Sequence, residues 1–381
     1  MAFVAGPRQV GKTTVCLKAA NNAVYLDWDN QDHRRLILQG PSAVAEYAGL
    51  NKLSHDKKAI IFDEIHKYGK WKNFLKGFFD VYSPRAEITV TGSSRLDIYK
   101  AGGDSLMGRY FLYRMHPLSI AEIVRPIAFS KETSSPTAIP QKSLDRLLKF
   151  GGFPEPYIRN SRSFFNRWKN LRHHQIFNEE IRDLTHIQEI SQARILADIL
   201  TAQAGNVASY TNLASSVNVS VDTIRRWIST LTSLYFCFIV RPWAKGIRKS
   251  IIKEPKVYLW NWAEVAEEGF RLENFTASHL LKAVHYWTDI GLGDYGLYYL
   301  RDKSKREVDF LVTRDKKPWF LVEVKASQKR PLSEHLGYFQ RQLNTPHAFQ
   351  VVFDMPFVDQ NCFAEKKPVI VPAQTFFSQL I

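Results

Sequence analysis

Phe3-Val4-Ala5-Gly6-Pro7-Arg8-Gln9-Val10-Gly11-Lys12-Thr13-Thr14 is the stretch on which the fold turns. A short apolar run leads into a loop that satisfies G-x-x-x-x-G-K-[ST], and a helical pattern follows. Glycine at both ends lets the backbone curl so that its N–H groups, with the N-terminus of the next helix, can hold a phosphate. In that geometry Lys12 reaches the β- and γ-phosphates and the Thr13 hydroxyl ligates Mg2+. Gly6, Pro7, Arg8, Gln9, Val10, Gly11 and Thr14 complete the cradle. A chance glycine turn is the plainer alternative, and the full match in strand-loop-helix order weighs against it.

Ala59-Ile60-Ile61-Phe62-Asp63-Glu64 reads as a buried strand ending in two carboxylates. At the C-terminal end of such a strand Asp63 is expected in the Mg2+ shell, with Glu64 placed to polarise an attacking water. Thr91-Gly92-Ser93-Ser94 ends the next apolar run, and Ser93 is a candidate polar sensor of the γ-phosphate; a strand-ending turn explains it almost as well. Arg109, after Gly108, is the first candidate for a charge acting on a neighbouring subunit's nucleotide. Arg95 and Arg114 compete with it, and a surface ion pair is the plainer reading. The nearest approach to a guanine-reading element, Asn51-Lys52-Leu53-Ser54, lacks its Asp, so ATP with Mg2+ is expected.

Around this loop, β-rich runs at Phe3–Ala5, Ala23–Leu26, Ala59–Phe62, Glu87–Thr91 and Tyr110–Met115 alternate with helical stretches, as a parallel α/β sheet requires. At 381 residues, more than one core is expected. The expected division is 1–128 for the phosphate-loop core, 129–186 for a helical lid or linker, 187–262 for a winged helix and 263–381 for a small terminal α/β domain. The Ser/Thr/Pro-rich stretch Ser130–Pro140 reads as an exposed connection.

An apolar fraction of 45% argues against global disorder. No window approaches the ~18 apolar residues of a membrane span, so a soluble, cytoplasmic protein is expected with no membrane partner. Cys16, Cys237 and Cys362 match neither a zinc spacing nor a disulfide framework. The net charge of +15 and a pI near 9.6 favour polyanionic partners wherever the charge meets a binding element.

One such element is Tyr210–Ser216, the turn Val217-Asn218-Val219, and Ser220–Leu231. Ser220 can cap the second helix and Ile224, Ile228 and Leu231 form its buried stripe, leaving Arg225 and Arg226 off that stripe to meet DNA. The following Arg241–Lys256 carries Arg241, Lys245, Arg248, Lys249, Lys253 and Lys256 against Glu254 alone, as a basic wing would. Domain packing is the competing use of such an element.

Further on, Arg306-Glu307-Val308-Asp309-Phe310-Leu311-Val312 precedes Phe320-Leu321-Val322-Glu323-Val324-Lys325. Asp309, Glu323 and Lys325, joined by Glu273 from a preceding helix, are the residue types that metal-assisted phosphodiester hydrolysis needs: oxygen ligands for the ion and a cation beside the water. Salt-bridged strand surfaces are the common alternative.

Taken together, GPRQVGKTT, IIFDEIHK, TGSSR, the Gly-Arg of LMGRYFLYRMHPLSIAEI, GGFPEPY, KVYLWN, ENFTASHLL, EVDFLV and LVEVKAS resemble the prokaryotic AAA-type ATPases that carry a C-terminal domain of unknown function. The resemblance runs over nearly the whole chain. It implies an AAA-type P-loop core, a winged-helix segment and a restriction-endonuclease-like, PD-(D/E)xK-type terminal fold. Lys12, Thr13, Asp63, Glu64 and Arg109 match the ATPase motifs; Glu273, Asp309, Glu323 and Lys325 match the nuclease-type pattern. Only five residues precede Gly6, a departure that leads one to expect a longer natural N-terminus.

The expected function is therefore ATP binding and hydrolysis, acting on or with DNA, in a possible homo-oligomer, with nuclease-like chemistry in the terminal domain. Two other classes compete. One is a non-enzymatic DNA-binding regulator switched by nucleotide; the other is a signalling NTPase with protein partners.

Overall fold

Five strands, β1 (Ala2–Ala5), β2 (Val24–Asp27), β3 (Lys58–Asp63), β4 (Ala86–Gly92) and β5 (Phe111–Arg114), form a parallel sheet in the order β2-β3-β4-β1-β5. The computed structural model describes residues 1–20, 22–92, 106–125, 130–181, 187, 189–244 and 254–381, in two units, 1–116 and 117–381. All five strands lie at the runs expected from β-rich composition. In β3 Ile60, Ile61 and Phe62 are all buried, because a parallel sheet is covered on both faces and its strands read as continuous apolar runs. The helix Trp71–Tyr82 turns Trp71, Phe74, Leu75 and Phe78 inward, and the Phe62 ring meets Phe74 and Phe78 edge-on at 5.7 and 5.4 Å. Each such ring stabilises by about 1.5–3 kcal/mol through burial.

Parallel strands bring their C-terminal ends to one edge, where α/β folds place ligands. The register makes this concrete: Asp27 pairs with Asp63, Asp63 with Thr91, Ala5 with Gly92, and Ala5 with Arg114. The loop that leaves Ala5 therefore stands beside the end of β4 at Gly92, with the end of β3 at Asp63 one strand further along the same edge.

The second unit is built on a seven-stranded sheet, β12-β11-β10-β9-β8-β6-β7. Here β6 is Cys237–Pro242, β7 Lys256–Leu259, β8 Tyr295–Arg301, β9 Glu307–Arg314, β10 Lys317–Lys325, β11 His347–Val352 and β12 Val369–Pro372. The 22-residue helix Glu268–Asp289 lays Phe275, Leu280, Val284 and Trp287 into a core with Phe310, Phe320 and Phe349. On another core, Glu334–Leu343 contributes Leu336 and Phe339 beside Leu311 and Leu321.

A third core belongs to the helices Ile190–Ala202, Tyr210–Val217 and Val221–Ser233, closed by Val257 and Leu259 of β7. Strand β6 pairs antiparallel with β7 and parallel with β8, so one sheet spans both sides of residue 262. Leu144 and Leu147 of the helix Gln141–Phe150 enter the same core as Phe275. The stretch Ser130–Pro140 is not a free connection. Its extended backbone needs partners, and Ser134 N–H donates to Gln379 O at 2.9 Å and Thr137 N–H to Ser378 Oγ at 3.0 Å, with Ile139 buried behind them.

Candidate functional site

Gly6 can only be glycine, because a Cβ there would stand 2.3 Å from the carbonyl oxygen of Met115. Gly11 takes φ 99° at the entrance to the helix Lys12–Ala19. Lys12 is buried, and its ammonium donates to the carbonyls of Gly6 and Pro7 at 3.0 and 2.7 Å, spanning the loop from inside. The Thr13 hydroxyl donates to Asp63 Oδ2 at 2.8 Å. Loop and β3 are thus joined through the two side chains whose oxygens the sequence reading assigned to Mg2+. Thr13 and Asp63 fit that ion: they are hard oxygen donors beside a phosphate loop, and they would hold it together with phosphate oxygens.

Asp63 accepts two further hydroxyls, Tyr25 at 2.8 Å on Oδ2 and Thr91 on Oδ1. Tyr25 was not marked as a site residue in the sequence, and Thr91 only as the first residue of the candidate sensor stretch. They reach Asp63 because β2 and β4 flank β3 in register at the same edge. Burial and the Asp63 charge push the Tyr25 hydroxyl above its ordinary range. Glu64 takes the left-handed backbone at φ 53°, and its carboxylate lies 3.4 Å from Lys67 and 3.7 Å from His66. Burial raises its pKa, and the ammonium groups of Lys67 and Lys12 pull it back.

Ser93 lies outside the described residues. Arg109 is held by Asp80, Nε at 2.7 Å and Nη2 at 3.1 Å. Its carbonyl accepts the Met1 amino group at 2.8 Å, at the N-terminal ends of β1 and β5. That is the far edge of the sheet from the phosphate loop of the same chain, roughly 15 Å along the strands. Arg114, level with Ala5, stands at the near edge.

In the second unit the four residues marked by the nuclease-type pattern fall in one neighbourhood. The pairing of β9 with β10 ends at Phe310 and Val322, so Asp309 and Glu323 stand on the open ends of the two strands. Asp309 Oδ2 replaces the missing ladder bond by accepting the Val324 N–H at 2.8 Å. Lys325 Nζ contacts Glu323 Oε1 at 2.8 Å. Glu273 accepts the Tyr258 hydroxyl at 2.7 Å.

Lys256 corrects the sequence reading, which counted it among the basic groups of a wing. Alternation along β7 sends Val257 and Leu259 into the helical core, so Lys256 and Tyr258 share the opposite side. There Lys256 is only 4% exposed. Its ammonium stands 3.1 Å from Glu273, 2.7 Å from Glu307 and 4.0 Å from Asp309. Burial opposes its charge, yet the carboxylates of Glu273, Asp309 and Glu307 hold its pKa above the ordinary lysine value. Burial, and next the Asp309 charge, push Glu273 and Glu323 each up to about 7.

These residues do not fit a metal as they stand. Among the described residues no group of three or more His, Cys, Asp and Glu converges on a position that could hold an ion. Lys256 occupies the space between Glu273, Glu307 and Asp309.

The helix pair is formed as expected. Asn218 takes φ 59° in the turn, Ser220 Oγ accepts the Thr223 N–H at 3.1 Å, and Ile224, Trp227, Ile228 and Leu231 are buried. Arg225 and Arg226 are exposed, and the Arg225 guanidinium lies 5.4 Å from the centre of the Tyr210 ring. Lys245, Arg248, Lys249 and Lys253 lie outside the described residues. No described helix is long and apolar enough to cross a membrane.

Residues 1–124 match the model of an AAA domain, which agrees with the strand order and the loop: the N-terminal part of the chain is an AAA-type P-loop domain. Residues 141–263 match a domain of unknown function, DUF8612, and residues 268–360 another, DUF4143. An uncharacterized protein of Methanocaldococcus jannaschii is 23% identical over 331 residues, covering 82% of this chain and 72% of that relative. An uncharacterized protein of Mycobacterium tuberculosis is 22% identical over 341 residues, covering 84% and 71%. The solved structure of C. elegans PCH-2 aligns over 60% of each chain, at 13% identity and a TM-score of 0.24, too loose a likeness to define a fold.

Proposed function

We propose that the chain binds ATP with Mg2+ at Gly6–Thr14 and Asp63, hydrolyses it, and couples the cycle to DNA. The observation that carries this reading is the single bonded array in which Lys12 spans the loop and Thr13 meets Asp63. Bound Mg2+ would supply charge neutralisation at the phosphates. Lys12 adds the ammonium that neutralises the β- and γ-oxygens, Thr13 and Asp63 orient the ion, and Glu64 takes up the water proton. Tyr25 and Thr91 hold the Asp63 carboxylate in one orientation.

For DNA, support comes from the exposed Arg225 and Arg226 on the third helix of a three-helix segment followed by the β6–β7 pair, the order of a winged helix. The terminal part, read as restriction-endonuclease-like, has the order helix, three antiparallel strands, helix, strand, with β11 parallel to β10. We assign the parts 1–128, 129–186, 187–262 and 263–381 to ATPase core, lid, winged helix and terminal domain on the same grounds.

A second reading has one observation in its favour: the Glu64 carboxylate is shared with Lys67 and His66, as suits a nucleotide switch without turnover. Steady-state phosphate release with and without DNA separates the two. Release that rises with DNA supports the coupled ATPase. Nucleotide binding without release in either condition overturns it in favour of the switch.

A further inference from the structure

The carboxylates of this neighbourhood already hold a cation supplied by the chain itself. Lys256, 4% exposed, places its ammonium 2.7 Å from Glu307, 3.1 Å from Glu273 and 4.0 Å from Asp309. A primary ammonium offers three donors and one positive charge in a compact head, so it can take the position between carboxylates that a hard cation would take. Its reach is fixed by the backbone. Val207 bridges to Lys256, Gly205 N–H donates to Val257 O at 2.8 Å and Ala208 N–H to Pro255 O at 2.8 Å. The loop between the helices Ile190–Ala202 and Tyr210–Val217 therefore grips β7 on both sides of the lysine.

One oxygen of the neighbourhood is left over. Glu323 is 8% exposed, its Oε1 contacts Lys325, and its Oε2 is buried without a hydrogen-bond partner. A buried carboxylate oxygen with no donor is costly, and a cation arriving in this neighbourhood would satisfy it.

We propose that Lys256 is the resident cation of this cluster and keeps the terminal site closed to metal, so that a divalent ion reaches Asp309, Glu273 and Glu323 only when the lysine is withdrawn. The proposal rests on the nuclease-type reading of these carboxylates and adds their regulation. It places the control on β7, the strand gripped by the segment that leads into the helix pair bearing Arg225 and Arg226.

The test is Mn2+ titration of the full chain without nucleotide, following free Mn2+ by electron paramagnetic resonance and the unfolding temperature in parallel. Lys256→Met is compared with wild type. Lys256→Met combined with Glu307→Gln, which spares the three proposed ligands, serves where the single change leaves too much buried negative charge to fold. Each is repeated with Glu323→Ala, which separates this site from the phosphate loop. The expected result is a Glu323-dependent Mn2+ site in the lysine variants, at least tenfold tighter than any in wild type, with a Mn2+-dependent rise in unfolding temperature that wild type lacks. A Glu323-dependent site of equal affinity in wild type overturns the proposal, as does a folded lysine variant that gains none. The readout is metal binding, so it is decided independently of whether the chain cuts DNA.

Discussion

Lys12 bonds to the carbonyls of Gly6 and Pro7 from inside the loop, so its removal takes away both a loop brace and the charge facing the phosphates. Lys12→Ala is expected to abolish nucleotide binding, measured by fluorescent-nucleotide titration. Glu64→Gln keeps the shape but not the base, so binding should persist while turnover falls by about 10²-fold or more. Equal turnover in wild type and Glu64→Gln would remove Glu64 from the chemistry. A second residue-scale test concerns His279, whose ring is buried between a bond to Phe275 O at 2.9 Å and the Ile120 N–H at 3.2 Å on Nε2. Burial pushes its pKa down to about 3. The unfolded chain can then take up a proton that the folded chain refuses, so stability falls as pH drops from about 6.5 toward 3, by about 1.4 kcal/mol for each pH unit crossed. His279→Gln keeps an acceptor and cannot charge, so its unfolding temperature should fall less steeply than that of wild type over this interval. Parallel curves would refute the assignment. At this scale Lys12, Thr13 and Asp63 were legible because a contiguous motif or a strand end marks them. Tyr25 was not, nor was the bond from Thr91 to Asp63, since only strand register brings these hydroxyls to that carboxylate.

The helix Val221–Ser233 shows what a single element encodes. Its apolar stripe and Ser220 cap were both readable from spacing, and both are formed. Ser220→Ala should cost about 1 kcal/mol of stability by orphaning the Thr223 N–H. Arg225→Ala with Arg226→Ala should weaken DNA binding and reduce its log–log salt slope by about two units if both meet phosphates. An unchanged slope in filter binding would leave them as solvated surface. Strand β7 teaches the opposite lesson. Counting charges from Arg241 to Lys256 put Lys256 in a basic surface, whereas period two along Lys256-Val257-Tyr258-Leu259 sets it with Tyr258 against Glu273. The alternation was present in the sequence, but the acids it serves lie on β9 and on the helix Glu268–Asp289. A local charge count has no access to partners so distant in sequence.

Arg109 raises the question of assembly. Within its own chain it stands at the N-terminal edge of the sheet, engaged by Asp80, with the phosphate loop at the opposite edge. It therefore cannot serve its own nucleotide without crossing the sheet, and a role in turnover requires a second copy that presents this edge to the first copy's loop. Arg109→Ala should then leave nucleotide affinity intact and lower turnover by about 10³-fold, the order that a phosphoryl-stabilising arginine contributes. Lys12→Ala should be inactive for the unrelated reason that its own loop is empty. Mixing the two inactive proteins separates a shared site from a structural ion pair. In random one-to-one assemblies about a quarter of the interfaces unite an intact loop with an intact Arg109, so phosphate release should recover to about a quarter of the wild-type rate. Asp80→Asn removes the Asp80 charge while keeping the guanidinium and should preserve that recovery when it replaces wild-type Asp80 in the Lys12→Ala partner. No recovery on mixing, with Arg109→Ala and Asp80→Asn losing stability alike in thermal melts, would identify the pair as a brace between the helix Trp71–Tyr82 and the approach to β5.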